Sequence, residues 1–212
     1  MRASLAVIAK SPAPGRVKTR LCPPCSPGEA ARLAEAALRD TLAAVLATRC
    51  ARRLLVLDGE PGRWVDPAFE VISQRGDTLD ERLAAAFDDV GGPALLIGMD
   101  TPQVTPALLR TGLRALATRG TDAVLGPALD GGYWAIGLRQ PDRRAFLGVP
   151  MSTSETGGAQ LGRLTSLGLR VRLLPELRDV DRIEDARAAA ESGATTRFAA
   201  AFRSLAIPAA TP

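Results

Sequence analysis

Short apolar runs alternate with amphipathic helical stretches along almost the whole chain, and this alternation limits the fold more than any other feature. Leu5 to Ala9, Arg53 to Asp58, Phe69 to Ser73, Ala94 to Gly98, Asp122 to Gly126, Tyr133 to Leu138 and Arg170 to Leu174 read as strands. Helical periodicity fills the gaps: Ser26 to Thr48, Leu79 to Phe87, Pro106 to Thr118, Glu155 to Leu167, Ile183 to Ala190 and Thr196 to Leu205. Strand and helix in strict turn, with short connections, predict an α/β fold: a Rossmann-like, mainly parallel sheet with helices on both faces. Tyr133 to Leu138 follows its neighbouring strand with no helix between them, which predicts a hairpin or an antiparallel insertion there. With 212 residues, 46% of them apolar, the chain has material for one domain, expected over residues 1–206, with a frayed tail at 207–212.

Composition narrows the chemistry. The chain has no histidine, which excludes Ser–His and Cys–His catalysis and any histidine metal site. Chemistry must therefore come from carboxylates, lysine, arginine or a metal. Aromatic residues make up only 4%, too few for the stacking platforms of single-stranded nucleic-acid binders, so no nucleic-acid partner is expected. No stretch is long and apolar enough to span a membrane, and no signal peptide is evident, so a cytoplasmic protein without a membrane partner is expected. Cys22-Pro23-Pro24-Cys25 has C-x-x-C spacing, but no second pair completes a zinc site, and both thiols read as loop packing.

The segment after the first strand holds the densest local charge. Lys10, Arg16, Lys18 and Arg20 crowd a loop stiffened by Pro12, Pro14 and Gly15, and Ser26-Pro27-Gly28-Glu29 then opens a capped helix. Strand, stiff basic loop and helix N-terminus read either as a solvated basic turn or, given their place directly after the first strand, as a grip for a multiply charged anion. Arg82, in Gln74 to Leu83, either faces phosphate or pairs with Asp77 or Asp80.

Asp100 ends a buried strand in Gly98-Met99-Asp100-Thr101-Pro102, where it serves either as a ligand for a hard divalent cation or as a helix cap. Asp179-Val180-Asp181 follows the last strand; one carboxylate is expected to cap the next helix, and Asp181 is a second candidate metal ligand. Asp130-Gly131-Gly132-Tyr133-Trp134 reads either as a plain hairpin turn or as a pocket in which the glycines admit a ligand and the aromatic pair forms a wall. Ser152 or Thr153 is expected to cap the helix beginning near Glu155.

Ala9 to Leu21, Gly98 to Pro102 and Asp130 to Trp134 together resemble the DUF2064 family, over roughly residues 1 to 190. Its members are also called glycosyltransferase-A-like proteins or radical-SAM/selenodomain-associated transferases, some linked to arsenosugar biosynthesis. The resemblance implies the nucleotide-diphospho-sugar transferase (GT-A) fold, with a divalent metal, Mg²⁺ or Mn²⁺, holding a nucleotide diphosphate. Lys18 to Leu21 and Asp179 to Asp181 are also similar to phospholactate guanylyltransferases. Carried over, the resemblance implies phosphate contacts from Arg16, Lys18 and Arg20, metal ligation by Asp100 and Asp181, and an acceptor side at Asp130 to Trp134. The chain departs from the family pattern at Cys22, Cys25, Met151 and Gly157-Gly158.

The leading expectation is thus a metal-dependent glycosyltransferase with a nucleotide-diphospho-sugar donor and a small-molecule acceptor. Lys18 and Asp130 would be its catalytic residues, with Lys10, Gly15, Arg16, Arg20 and Arg82 around the phosphates. The first alternative is nucleotidyl transfer from a triphosphate with pyrophosphate release; the second is a catalytically silent nucleotide-binding scaffold. A monomer or a homodimer fits either chemistry.

Overall fold

The computed structural model of the chain describes residues 3–192 and 195–205; the boundary expected at residue 206 and the tail at 207–212 lie outside the described residues. Among the described residues the strands are β1 (Ser4–Lys10), β2 (Arg53–Asp58), β3 (Glu70–Ser73), β4 (Ala94–Gly98), β5 (Ala123–Pro127), β6 (Tyr133–Leu138) and β7 (Val171–Leu173). They form one sheet of order β3-β2-β1-β4-β6-β5-β7. All neighbours run parallel except β6, which is antiparallel to both β4 and β5. The helices are α1 (Pro27–Leu46), α2 (Leu79–Val90), α3 (Pro106–Ala117), α4 (Thr156–Ser166), α5 (Ile183–Ser192) and α6 (Arg197–Arg203). The predicted elements are all present, with boundaries shifted by a few residues.

Strand alternation sorts the core into two layers. Leu5, Val7 and Ala9 of β1 pack with α1 and α3 residues such as Leu38, Leu42, Leu109 and Leu116. Ala6 points the other way, into a layer with Leu83 and Phe87 of α2 and Leu164 of α4. Both faces of β1 are therefore covered, which is why its sequence is an unbroken apolar run. Helix α1 is apolar on two sides. Ala31, Ala34 and Leu38 meet the sheet, while Leu33 and Ala37 meet Ala186 of α5 and Phe198 and Phe202 of α6.

Local chemistry fixes where helices begin. Ser26 and Glu29 close a capping box on α1, with Pro27 in its first turn. Thr78 and Glu81 do the same for α2. Helix α4 departs from expectation: it starts at Thr156 behind Glu155, and the Thr153 hydroxyl accepts from the Glu155 N–H at 3.2 Å. Thr153 thus ties down the turn ahead of the helix, and neither it nor Ser152 is the capping residue.

From β1 the chain winds to β2 and β3 on one side, then returns through α2 to β4 on the other side of β1. That reversal opens a crevice beyond the carboxyl ends of β1 and β4, the usual place for a ligand in such sheets.

At the far side of the sheet, Asp122 accepts from the Arg170 guanidinium at 2.7 Å and from the Arg170 backbone N–H at 3.0 Å, joining the starts of β5 and β7. These hydrogen bonds hold its carboxyl down to about 2, below the ordinary aspartate range. The Arg170 guanidinium is exposed, so solvent screens the pair and its contribution to stability is small. A depressed carboxylate stabilises the fold above its unfolded pKa and loses that contribution as pH falls toward 2. Asp122→Asn should therefore lower the urea midpoint slightly at pH 7, with the difference from wild type vanishing near pH 2.

Candidate active site

The basic loop after β1 is folded inward by its apolar residues. Val17 and Leu21 are buried, and Thr19–Leu21 form a single 3-10 turn. Lys18, between those anchors, adopts a left-handed backbone with φ 50°, a conformation costing a non-glycine residue about 1–2 kcal/mol. Its side chain is only 7% exposed, and Nζ lies 3.0 Å from Asp100 Oδ1 and 3.2 Å from Asp181 Oδ1. Arg20 Nη1 reaches the other oxygen of Asp181 at 2.8 Å. Burial alone would lower the Lys18 pKa, but the two carboxylates outweigh it and hold the ammonium above the usual lysine range. Burial likewise pushes Asp181 up, and Lys18 and Arg20 outweigh it, holding the carboxylate below its ordinary value.

The two carboxylates singled out as metal ligands thus share a neighbour, and that neighbour is a lysine ammonium. Asp100 is delivered by the end of β4 and Asp181 by the chain leading to α5. The Val180 N–H donates to Asp100 O at 3.0 Å and locks the two segments together. Asp179 lines the same cleft, its Oδ1 accepting from the Thr101 hydroxyl at 2.5 Å. Burial, reinforced by the nearby charges of Asp100 and Asp130, pushes Asp179 up to about 6 despite that bond and Lys18. Neither aspartate caps α5 as expected: the Arg182 N–H donates to Asp185 Oδ2 at 3.0 Å, because Asp179 and Asp181 are committed to Thr101, Lys18 and Arg20.

These groups form one side of a cleft of about 1060 Å³, also lined by Lys10, Arg16, Arg20, Arg82, Asp130, Gly132 and Tyr133. The volume suits a nucleotide with an acceptor beside it. Lys10 presents an exposed side chain at the cleft, while its N–H donates to Met99 Sδ at 3.2 Å. Arg16 and Arg82 converge on Asp58, at 4.0 and 3.3 Å. Sequence reasoning missed Asp58, although it ends an apolar strand much as Asp100 follows one. Gly15 makes the loop's turn with φ 76° and stands outside the cleft lining.

The Asp130 loop differs from its expected form. Tyr133 and Trp134 both line the cleft, but as adjacent strand residues they send their side chains into different layers. Trp134 is 1% exposed, packs in the α1–α3 layer and donates its indole N–H to Pro175 O at 2.9 Å. Tyr133 faces the α2–α4 layer, its hydroxyl 3.2 Å from Gln160 Oε1, and burial raises its pKa above the usual tyrosine range. The glycine pair admits a chain segment. A Cβ on Gly131 would lie 1.9 Å from Ser154 O, and the Gly157 N–H donates to Gly131 O at 2.8 Å. Gly157 is equally constrained, since a Cβ there would lie 2.6 Å from Gly132 O. Asp130 lines the cleft and accepts from the Gly132 N–H at 2.9 Å, the tight turn its sequence predicts.

Sheet order, the antiparallel β6 and the crevice beside β1 define the nucleotide-diphospho-sugar transferase type of α/β fold. A crystal structure described as a candidate nucleotide-diphospho-sugar transferase from Desulfovibrio desulfuricans G20 matches with TM-score 0.84 and 27% identity, over 95% of this chain and 94% of that one. The chain belongs to the family DUF2064, described as an uncharacterized protein conserved in bacteria, which matches residues 33–153. The 2-phospho-L-lactate guanylyltransferase of Methanocorpusculum labreanum (strain ATCC 43576 / DSM 4855 / Z) is 31% identical over 130 residues, 61% of this chain and 57% of that protein. The match therefore spans little more than half of that relative's length. Rv0371c of Mycobacterium tuberculosis H37Rv, solved as a manganese complex, shares the fold with TM-score 0.52 and 21% identity, over 89% of this chain and 97% of that one.

The partly buried Asp179 carboxylate accepts from the buried Thr101 hydroxyl. Thr101→Val should cost about 0.5–1.5 kcal/mol at pH 7, read as a fall in the urea midpoint, because it removes that hydrogen bond.

Proposed function

We propose that this chain is a metal-dependent nucleotidyltransferase, joining a nucleoside triphosphate to a small phosphate- or carboxylate-bearing acceptor and releasing pyrophosphate. The observation that carries this reading is the meeting of Lys18, Arg20, Asp100 and Asp181 at the mouth of β1 and β4, with Lys10 and Arg16 on the same cleft. The guanylyltransferase relative supports it, and so reverses the order of the two chemistries expected from sequence.

In this reading Lys18, Arg20 and Arg16 bind the triphosphate and neutralise charge as an acceptor oxygen bonds to the α-phosphorus and the bond to the bridging oxygen of pyrophosphate breaks. Asp130, on the same cleft, orients the acceptor; without histidine in the chain, a carboxylate is the available base. Asp100 and Asp181 fit a divalent cation. Their oxygens already converge on a cationic group, and Mg²⁺ is typically held by one or two carboxylates together with substrate phosphates. Bound there, the cation would supply Lewis-acid polarisation of the phosphoryl oxygens. The manganese complex of a fold relative supports this assignment. Glycosyl transfer from a nucleotide-diphospho-sugar is the second reading, favoured by the Desulfovibrio structure's description.

A thermal-shift screen with Mg²⁺ or Mn²⁺ should show selective stabilisation by one triphosphate, of about 2.7 kcal/mol at a hundredfold excess over Kd. Pyrophosphate release with that triphosphate should fall at least ~100-fold in Asp100→Asn. Selective stabilisation by a nucleotide-diphospho-sugar and its diphosphate product would establish the second reading. Nucleotide binding without turnover, unaltered in Asp100→Asn, would identify a silent scaffold.

A further inference from the structure

Lys18 is an unusual choice of cation for this chain. Of 27 lysines and arginines only Lys10 and Lys18 are lysine, and both flank the same loop. Everywhere else the chain uses the planar guanidinium. Lys18 supplies a compact, strongly hydrated point charge on a flexible stem, a group that approaches two carboxylates much as a small cation does and can swing to another partner. Its left-handed backbone between the buried Val17 and Leu21 aims the stem inward, and its ammonium faces Oδ1 of both Asp100 and Asp181.

We infer that Lys18 is a built-in counter-ion that excludes free divalent cations from the Asp100–Asp181 pair and yields the pair only when nucleotide phosphates take up the lysine. This inference rests on the proposed function for the identity of the nucleotide, and on the local geometry alone for the exchange. The charge balance argues for it. Asp100 and Asp181 carry two negative charges, and Lys18 and Arg20, within 2.8–3.2 Å of them, carry two positive ones. A free divalent ion would have to compete with these two cationic groups for the same carboxylate oxygens. A metal–triphosphate complex arrives with net negative charge, and its phosphate oxygens give Lys18 a new partner while contributing ligands to the metal. Asp179 lines the same cleft, with its Oδ1 taken by the Thr101 hydroxyl. Among the described residues no group of three or more acidic or thiol side chains is gathered closely enough to hold a metal unaided.

The test is Mn²⁺ binding by electron paramagnetic resonance, with and without nucleoside triphosphates, in wild type, Lys18→Gln and Lys18→Met. Lys18→Gln keeps a donor toward the carboxylates, so it guards against a Met variant that fails to fold. Wild type should bind free Mn²⁺ weakly, and Lys18→Gln should bind it at least ~10-fold more tightly, within the range of ordinary site-to-site coupling. A third substitution, Asp100→Asn placed on Lys18→Gln, should abolish the gain and so locate it at this pair. Free Mn²⁺ affinity that is the same in wild type and Lys18→Gln, or a gain that survives Asp100→Asn, would overturn the exchange. The two readings fail separately. If no triphosphate tightens Mn²⁺ binding by wild type, the nucleotidyltransferase reading falls, while a gain in Lys18→Gln still supports the counter-ion role. If triphosphate tightens Mn²⁺ binding but Lys18→Gln shows no gain, the exchange alone is wrong.

Discussion

A buried ammonium needs its carboxylates, and much of the functional edge of this molecule is arranged around that requirement. Lys18, Asp100 and Asp181 come from segments far apart in sequence, yet their side chains meet within 3.2 Å. Removing a lone lysine from water costs several kcal/mol, so loss of the carboxylates would be strongly destabilising even though the intact cluster adds little net stability. The tie also explains why a non-glycine residue tolerates a left-handed backbone at position 18, since the surrounding contacts leave it no relaxed alternative.

The sheet prepares this meeting point. Because the chain winds out to β3 and returns through α2 to the other side of β1, the carboxyl ends of β1 and β4 are neighbours at the point where the strand order reverses. The phosphate-loop side of the cleft then depends on the last helices. Leu21 at the end of the basic loop and Val180 between the two aspartates pack in one apolar cluster with Phe198 and Phe202 of α6. The family match covers residues 33–153 and so includes Asp100 and Asp130, whereas Lys18, Arg20, Asp179 and Asp181 lie outside it. Half of the site is thus supplied by the two ends of the chain, brought together by α1, α5 and α6.

How much of this was legible in sequence follows from the range of each interaction. The strands and helices were readable because burial on both sheet faces and helical periodicity are local patterns, and Ser26-Pro27-Gly28-Glu29 encodes its own cap. The cations of the first loop and Asp100 were readable as one rim because α/β folds place strand ends there. Pairings across the fold were not readable. That Lys18 sits between the expected metal ligands, that Asp179 belongs to Thr101, and that Arg16 and Arg82 share Asp58 depend on which distant segments approach. Tyr133 and Trp134 are a different case. They were read together as a wall, although the strand period of two, applied to their own positions, places them on opposite faces.

The glycines around Asp130 show why a permissive backbone is weak evidence for a ligand. Gly131, Gly132 and Gly157 let two protein segments come within hydrogen-bonding distance, and the space a substrate would need at Gly131 is already filled by Ser154. The effect on function is indirect. Closing these segments together fixes the turn that carries Asp130, and the Gly132 N–H fixes its carboxylate at the cleft. On the proposed reading, the acceptor side is organised through this main-chain junction and the phosphate side through the ionic groups Lys18, Arg20, Asp100 and Asp181. Under that reading, an acceptor is oriented with little rearrangement and the adjustment falls on the ionic groups that exchange partners as a nucleotide binds.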